Sequence, residues 1–305
     1  MRTGLKGTFS IVAADVEAGE VGCAVQSRYF AVGSVVPWAK AGVGAVATQA
    51  AGVAAYGPKV LALLEDGLEP APALERALAD DGARESRQLG AVTADGRAAA
   101  HTGAKCLSWA GHRVGDGYAV QGNILAGEAV VTEMERAFLE TRGVSLAERL
   151  VTCLEAAQAA GGDRRGQQSS AIVVERSGAA SESREGIDRV CELRVDDHPE
   201  PIVELRRLLG THLVWDALRR ASLFHEPGNY AQGVEVLREA LGRHGEDPVL
   251  LYDLACFESL AGDTEEALAH VTRSLELDPQ PAPGAAADTD LEALRQDPRF
   301  QAAVS

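Results

Sequence analysis

The chain has 305 residues, enough for one large domain or two smaller ones. Its formal charge of −16 repels polyphosphate and anionic lipid, and no run of 18 apolar residues is present; nucleic acid and membrane are therefore not expected as partners. The five cysteines, Cys23, Cys106, Cys153, Cys191 and Cys256, are odd in number and scattered. With no long apolar stretch behind the basic start, Met1-Arg2-Thr3-Gly4-Leu5-Lys6-Gly7, they point to a cytoplasmic protein with reduced thiols.

Residues 8–14 and 20–27 read as two strands joined by the hairpin loop Asp15-Val16-Glu17-Ala18-Gly19. Residues 31–38 are a third apolar run, stopped by Pro37, and 42–48 a fourth, whose glycines and alanines suit the close approach of another layer. Short turns between them imply an antiparallel or mixed sheet. Pro58 opens a helix that Gly67 ends, and a second helix covers 72–80. Strands return at 88–93 and 97–102 around Asp95-Gly96, and again at 117–124. Helices follow at 128–141 and 145–160, the latter with Ser145 and Glu148 as a capping box and Gly161-Gly162 as its stop. Strands at 170–175 and 190–195 and a helix at 199–209 complete the set. In this order each of two sheets can carry a helix pair outside, an α+β arrangement layered helix, sheet, sheet, helix.

The texture changes near Thr211. Gly228 and Gly262 lie 34 residues apart, the period of a tetratricopeptide unit, and each precedes a helix. Leu251, Leu254, Ala255, Gly262, Asp263, Ala267 and Pro279 fall at the large, small, turn and stop positions of that repeat. The chain therefore divides into an αββα domain over 8–210 and a small helical repeat domain over 211–305.

One bond carries the chemical expectation. Thr8 follows Gly7 at the mouth of the first strand, after seven residues with no strand or helix signal. Inside a chain a threonine hydroxyl has no base of its own. At a chain terminus the α-amine, with a pKa near ~8, supplies one. Loss of residues 1–7, by self-cleavage or because the natural start lies just before Thr8, would expose nucleophile and base together. The plain alternative is that Thr8 is an ordinary β-branched strand residue.

Four patches extend this reading: Gly7-Thr8-Phe9-Ser10-Ile11-Val12-Ala13, Ala47-Thr48-Gln49-Ala50, Gln121-Gly122-Asn123-Ile124-Leu125, and Gly161-Gly162-Asp163-Arg164-Arg165-Gly166-Gln167-Gln168-Ser169. Together they resemble the prokaryotic family called domain of unknown function 1028, over roughly residues 8 to 209. The resemblance implies an N-terminal-nucleophile hydrolase fold, the αββα sandwich, and a reaction class without a substrate. Further matches to the threonine-protease branch of that superfamily imply roles. Thr8 would be the nucleophile, Asp163 and Ser169 would hold its amine and a water, and Arg28 or Lys40 would bias the amine toward its neutral form. Asn123, or backbone N–H groups near Gln49 and Ala50, would stabilise the oxyanion. Ser27, Gln49, Gln121 and Gln167 would line the substrate's place. Gln26 stands where that branch carries an orienting aspartate, a departure from its mechanism.

The function expected is hydrolysis of a small amide, a cyclic amide or a short peptide, with no cofactor and no metal. His101, Cys106 and His112 match no common zinc spacing. The alternative is an inactive αββα scaffold whose helical repeats hold a peptide or protein partner, and a homo-oligomer is compatible with either.

Overall fold

The computed structural model describes residues 7–182, 186–226 and 228–305. The leader, residues 1–7, falls outside them except for Gly7. The molecule is mixed α/β, and it separates into two compact units, one ending at Leu209 and one beginning at Gly210.

In the first unit, β1 (Thr8–Asp15) and β2 (Glu20–Ser27) form the expected hairpin, with Thr8 opposite Ser27. They lie at the centre of a six-stranded antiparallel sheet ordered β10-β9-β2-β1-β8-β7. Its other strands are β7 (Gly111–Gly115), β8 (Tyr118–Asn123), β9 (Ser169–Arg176) and β10 (Arg189–Val195). A second antiparallel sheet, β3-β4-β5-β6, holds β3 (Pro37–Lys40), β4 (Gly44–Ala50), β5 (Arg87–Thr93) and β6 (Ala98–Thr102). The first four strands thus divide two and two between the sheets instead of forming one sheet.

Strand alternation explains the two layers of core. Val12, Val21, Cys23 and Val25 of the larger sheet meet Ala45, Ala47 and Val92 of the smaller one. The opposite face of the smaller sheet, with Val46, Leu89 and Ala91, is covered by α1 (Tyr56–Glu65) and α2 (Pro70–Leu78). Helices α3 (Ala129–Glu140) and α4 (Leu146–Ala159) pack on the outer face of the larger sheet. A Cβ on Gly22 would lie 2.8 Å from Leu150 of α4, so the glycine lets helix and strand approach. Burying each valine of these seams contributes about 2 kcal/mol.

Three expectations change. Residues 31–36 are not strand: Ala31 takes φ 53° and starts a 3-10 turn, Val32–Ser34, so β3 begins only at Pro37. Strand β7 was not foreseen, because Gly111-His112-Arg113-Val114-Gly115 is a half-exposed sheet edge with little apolar pattern. After α5 (Ala179–Glu182), the helix expected to stop at 209 continues as α6, Pro201–Ser222, so the division between units falls inside a helix. Gly210 is tolerated there because Leu205 and Leu209 before it, and Val214, Ala217 and Leu218 after it, are all buried.

The second unit is helical. Helices α7 (Tyr230–His244), α8 (Pro248–Ala261) and α9 (Thr264–Leu277) pack consecutively. Asp247 caps α8, with Pro248 in its first turn, and Gly262 closes it at φ 95°. The short α10 (Ala282–Ala285), a 3-10 segment at Thr289–Leu294 and α11 (Pro298–Ala303) follow. Leu291, Leu294 and Phe300 close the core over Val271 and Leu275. Among the described residues no helix is long and apolar enough to cross a membrane.

Candidate active site

Thr8 sits where the central hairpin opens, 3% exposed, paired on one side with Ser27 and on the other with Asn123. Its hydroxyl donates to the carbonyl oxygen of Gly7 at 2.6 Å and lies 3.0 Å from Ser27 Oγ. The same carbonyl oxygen accepts a hydrogen bond from Ser27 Oγ at 2.5 Å and one from Arg165 Nη2 at 2.6 Å. One backbone oxygen therefore has three donors, one of them a cation.

Asp163 stands behind this group with a fully buried side chain. Its carboxylate accepts from Arg28 N at 3.1 Å, Arg165 N at 2.9 Å and Arg165 Nη2 at 2.6 Å. The segment carrying it is shaped by Gly161, Gly162 and Gly166, all at positive φ, and by a bridge between Asp163 and Leu125. A Cβ on Gly7 would lie 2.6 to 2.8 Å from the Asp163 carboxylate, so only glycine fits before Thr8.

Thr8, Ser27, Thr48 and Gln49 open onto a cavity of about 70 Å³. The rest of its lining is mostly aliphatic, Val32, Val35, Val36, Ala50 and Ala54, with Tyr29 and Gly52 beside them. Ala50, Ala31 and Ile124 are the non-glycine residues with positive φ among those described. Ala50 lines this cavity, Ala31 precedes Val32 in its wall, and Ile124 lies between Asn123 and the Leu125 bridge. Backbone strain gathered at one place is characteristic of functional sites.

A buried amide network underlies the floor. Ser10 Oγ donates to Gln49 Oε1 at 2.6 Å and accepts from Gln121 Nε2 at 2.7 Å. Gln49 Nε2 and Asn123 Nδ2 both donate to Gln88 Oε1 at 2.9 Å. Ser10 thus shares the face of Thr8, as alternation requires, but is engaged in the network.

The expected site residues divide accordingly. Thr8, Ser27, Gln49 and Asp163 come together around the Gly7–Thr8 bond and its cavity. Asn123 donates to Gln88, which takes its amide away from the oxyanion position, and Gln121 belongs to the floor. The Ser169 hydroxyl accepts from Val32 N and donates to Tyr29 O, so it holds the wall turn and not the Thr8 amine. Arg28 is exposed; it meets Asp163 through its backbone N–H, and its guanidinium reaches the carbonyl of Gln167. Gln167 meets the site through this carbonyl. Lys40 is exposed and ion-paired with Glu65 at 2.5 Å, which directs it to the surface. Gln26 faces away from the cavity, one residue out of phase with Ser27, and cannot orient Thr8.

Arg165 is a side chain at the Gly7–Thr8 bond to which the sequence reading assigned no separate role. The run Asp163-Arg164-Arg165 has the composition of a solvated charge cluster, and only Arg164 behaves as one. Cys23 of β2 and Cys153 of α4 are poor rival nucleophiles. Burial pushes the Cys23 thiol up and holds that of Cys153 at about 12. His101, Cys106 and His112 are engaged separately, with Arg84 O, Arg87 O and Thr102 Oγ1.

Residues 8–205 match the model of the Family of unknown function (DUF1028). A crystal structure of a Silicibacter pomeroyi protein assigned to the same family is similar, with 31% sequence identity and a TM-score of 0.63, covering 70% of this chain and 90% of that one. No curated protein matches the chain. With the family model spanning most of the sequence, and a solved relative sharing the fold, the chain belongs to the DUF1028 family.

Proposed function

We propose that the chain is an amide-bond hydrolase whose nucleophile is the hydroxyl of Thr8. In this reading, residues 8–210 form an N-terminal-nucleophile αββα sandwich, and the helices that follow are tetratricopeptide-like and available to a protein partner. The observation that carries the proposal is the setting of the Gly7–Thr8 bond: a hydroxyl 2.6 Å from the carbonyl oxygen, with Ser27 and Arg165 donating to that same oxygen. Donors aimed at an oxygen that gains negative charge are what acyl transfer requires.

The bond itself is the first substrate. Thr8 Oγ1 attacks the Gly7 carbonyl carbon, the bond to the Thr8 nitrogen breaks, and the hydroxyl proton ends on that nitrogen. Water then hydrolyses the resulting ester, leaving a Gly7 carboxylate beside Asp163 and a free Thr8 amine. Repulsion between the two carboxylates favours departure of the leader.

Turnover reuses the arrangement. The Thr8 amine accepts the hydroxyl proton, Oγ1 forms an ester with the acyl group of a small or cyclic amide or a short peptide, and the leaving amine takes the proton. Ser27 Oγ and Arg165 Nη2 stabilise the oxyanion at the position vacated by the Gly7 oxygen. Water completes the cycle.

The test is intact mass followed by amide hydrolysis. Wild-type protein should lose residues 1–7, Thr8→Ala should keep them and be inactive, and Thr8→Ser should process and retain some activity. A protein that keeps its leader and still hydrolyses amides at full rate would end the mechanism. One that keeps it and hydrolyses nothing would favour a precursor awaiting another protease, or the binding scaffold.

A further inference from the structure

The cavity beside Thr8 has a chemistry of its own. Among the described residues, no charged side chain lines it. Its deeper polar groups are already engaged: Thr48 Oγ1 donates to Val53 O at 3.2 Å, and the Gln49 amide is bonded to Ser10 and Gln88. At its buried end, the hydroxyls of Thr8 and Ser27 become available once Gly7 has left. Beside Gly52 and the aromatic Tyr29, the remaining wall is Val32, Val35, Val36, Ala50 and Ala54.

A charged group entering here would lose its hydration with no opposite charge in the lining to replace it. An aliphatic group would exchange water for methyl contacts, worth roughly fourfold in affinity for each buried methylene. Size sets the upper bound. A cavity of about 70 Å³ is several times what one water needs, and about half of the ~150 Å³ void that accepts a benzene ring.

We propose that this cavity selects the acyl side of the substrate, and that it takes a neutral, branched aliphatic group of three or four carbons attached next to the scissile carbonyl. The acyl side is the one assigned because it stays bonded to Thr8 through both chemical steps, whereas the amine must leave. The assignment rests on the reading of Thr8 as nucleophile.

The experiment uses the full chain and a series of 7-amino-4-methylcoumarin amides: isovaleryl, acetyl, benzoyl, succinyl and 6-aminohexanoyl. Isovaleryl should exceed benzoyl, succinyl and aminohexanoyl at least tenfold in kcat/KM. Ala54→Phe, which fills the cavity from its rim, should erase the advantage of isovaleryl over acetyl. Val36→Ala, which enlarges it, should admit benzoyl. Ligand-observed NMR with isovaleramide, benzamide and succinamic acid separates this proposal from the catalytic one. Hydrolysis without the preference overturns the cavity assignment and leaves the nucleophile standing. Selective binding of isovaleramide without hydrolysis supports the cavity and counts against the nucleophile. Absence of both hydrolysis and isovaleramide binding overturns the assignment.

Discussion

Arg165 joins two features that the sequence keeps apart: the carboxylate of Asp163 and the carbonyl of Gly7. Its fork geometry lets one guanidinium hold both, which a lysine ammonium does poorly. Arg165→Lys should therefore keep a positive charge beside the buried Asp163 and keep the fold, while leader removal slows by about 10²-fold, the scale for losing one oxyanion donor. A time course of intact mass during expression and after purification measures this. Removal at the parent rate would take Arg165 out of the chemistry and leave it a structural partner of Asp163. Arg165→Met is a poorer test, because stripping the ion-pair partner from a buried carboxylate costs about 3–5 kcal/mol by itself.

At the scale of elements, the two sheets approach closely where β5 faces β8. A Cβ on Gly90 would fall 2.2 Å from Gln121 Oε1 and 2.7 Å from its carboxamide carbon. Gln121 is fully buried and its Nε2 is bonded to Ser10, so the side chain has little freedom to withdraw. Gly90→Ala should lower stability by about 2 kcal/mol through overpacking, and should disturb the amide floor beneath Thr8. The midpoint of urea unfolding measures the first effect. An unchanged midpoint would mean that the sheets are less tightly apposed than the glycine contact indicates. The small residues of β4 were legible as a sign of close approach, but the room that Gly90 of β5 makes for Gln121 was not, because Gln121 is over thirty residues away in the chain.

At the scale of the whole molecule, the helical unit places several acids around one buried thiol. Burial, then the neighbouring charges of Asp288 and Asp290, push the Asp253 carboxyl up to about 6. Tyr252 donates to Asp288 Oδ2, and His225 Nε2 lies 3.0 Å from Asp290 Oδ2. A carboxyl whose folded pKa is raised favours the fold when protonated. That stability is fully present below its unfolded pKa, near ~4, and is lost as pH rises through about 6. Above pH 7 ionised Asp253 costs on the order of 3 kcal/mol. Asp253→Asn should therefore raise the melting temperature of the full chain at pH 7.5, and the gap to the parent should narrow as pH is lowered through 6 toward 4. A gap that is constant with pH would show that Asp253 ionises freely in the fold.

The sequence by itself determined the elements with strong local signals. Short, nearly continuous runs of small and apolar residues set β1 and β2, Asp95-Gly96 set the β5–β6 turn, and Ser145 with Glu148 set the start of α4. It also singled out Gly7-Thr8 and Asp163, because a glycine-threonine bond and a glycine-flanked aspartate are visible without any fold. Only the tertiary structure decided the rest. It divided four consecutive strands between two sheets and turned residues 31–36 into a cavity wall. It sent Lys40 to the surface, fixed Asn123 and Ser169 in structural hydrogen bonds, and brought Arg165 to the Gly7 carbonyl. These outcomes depend on which distant groups meet, and a polar side chain's local sequence does not reveal whether its partner will be water, backbone or a substrate.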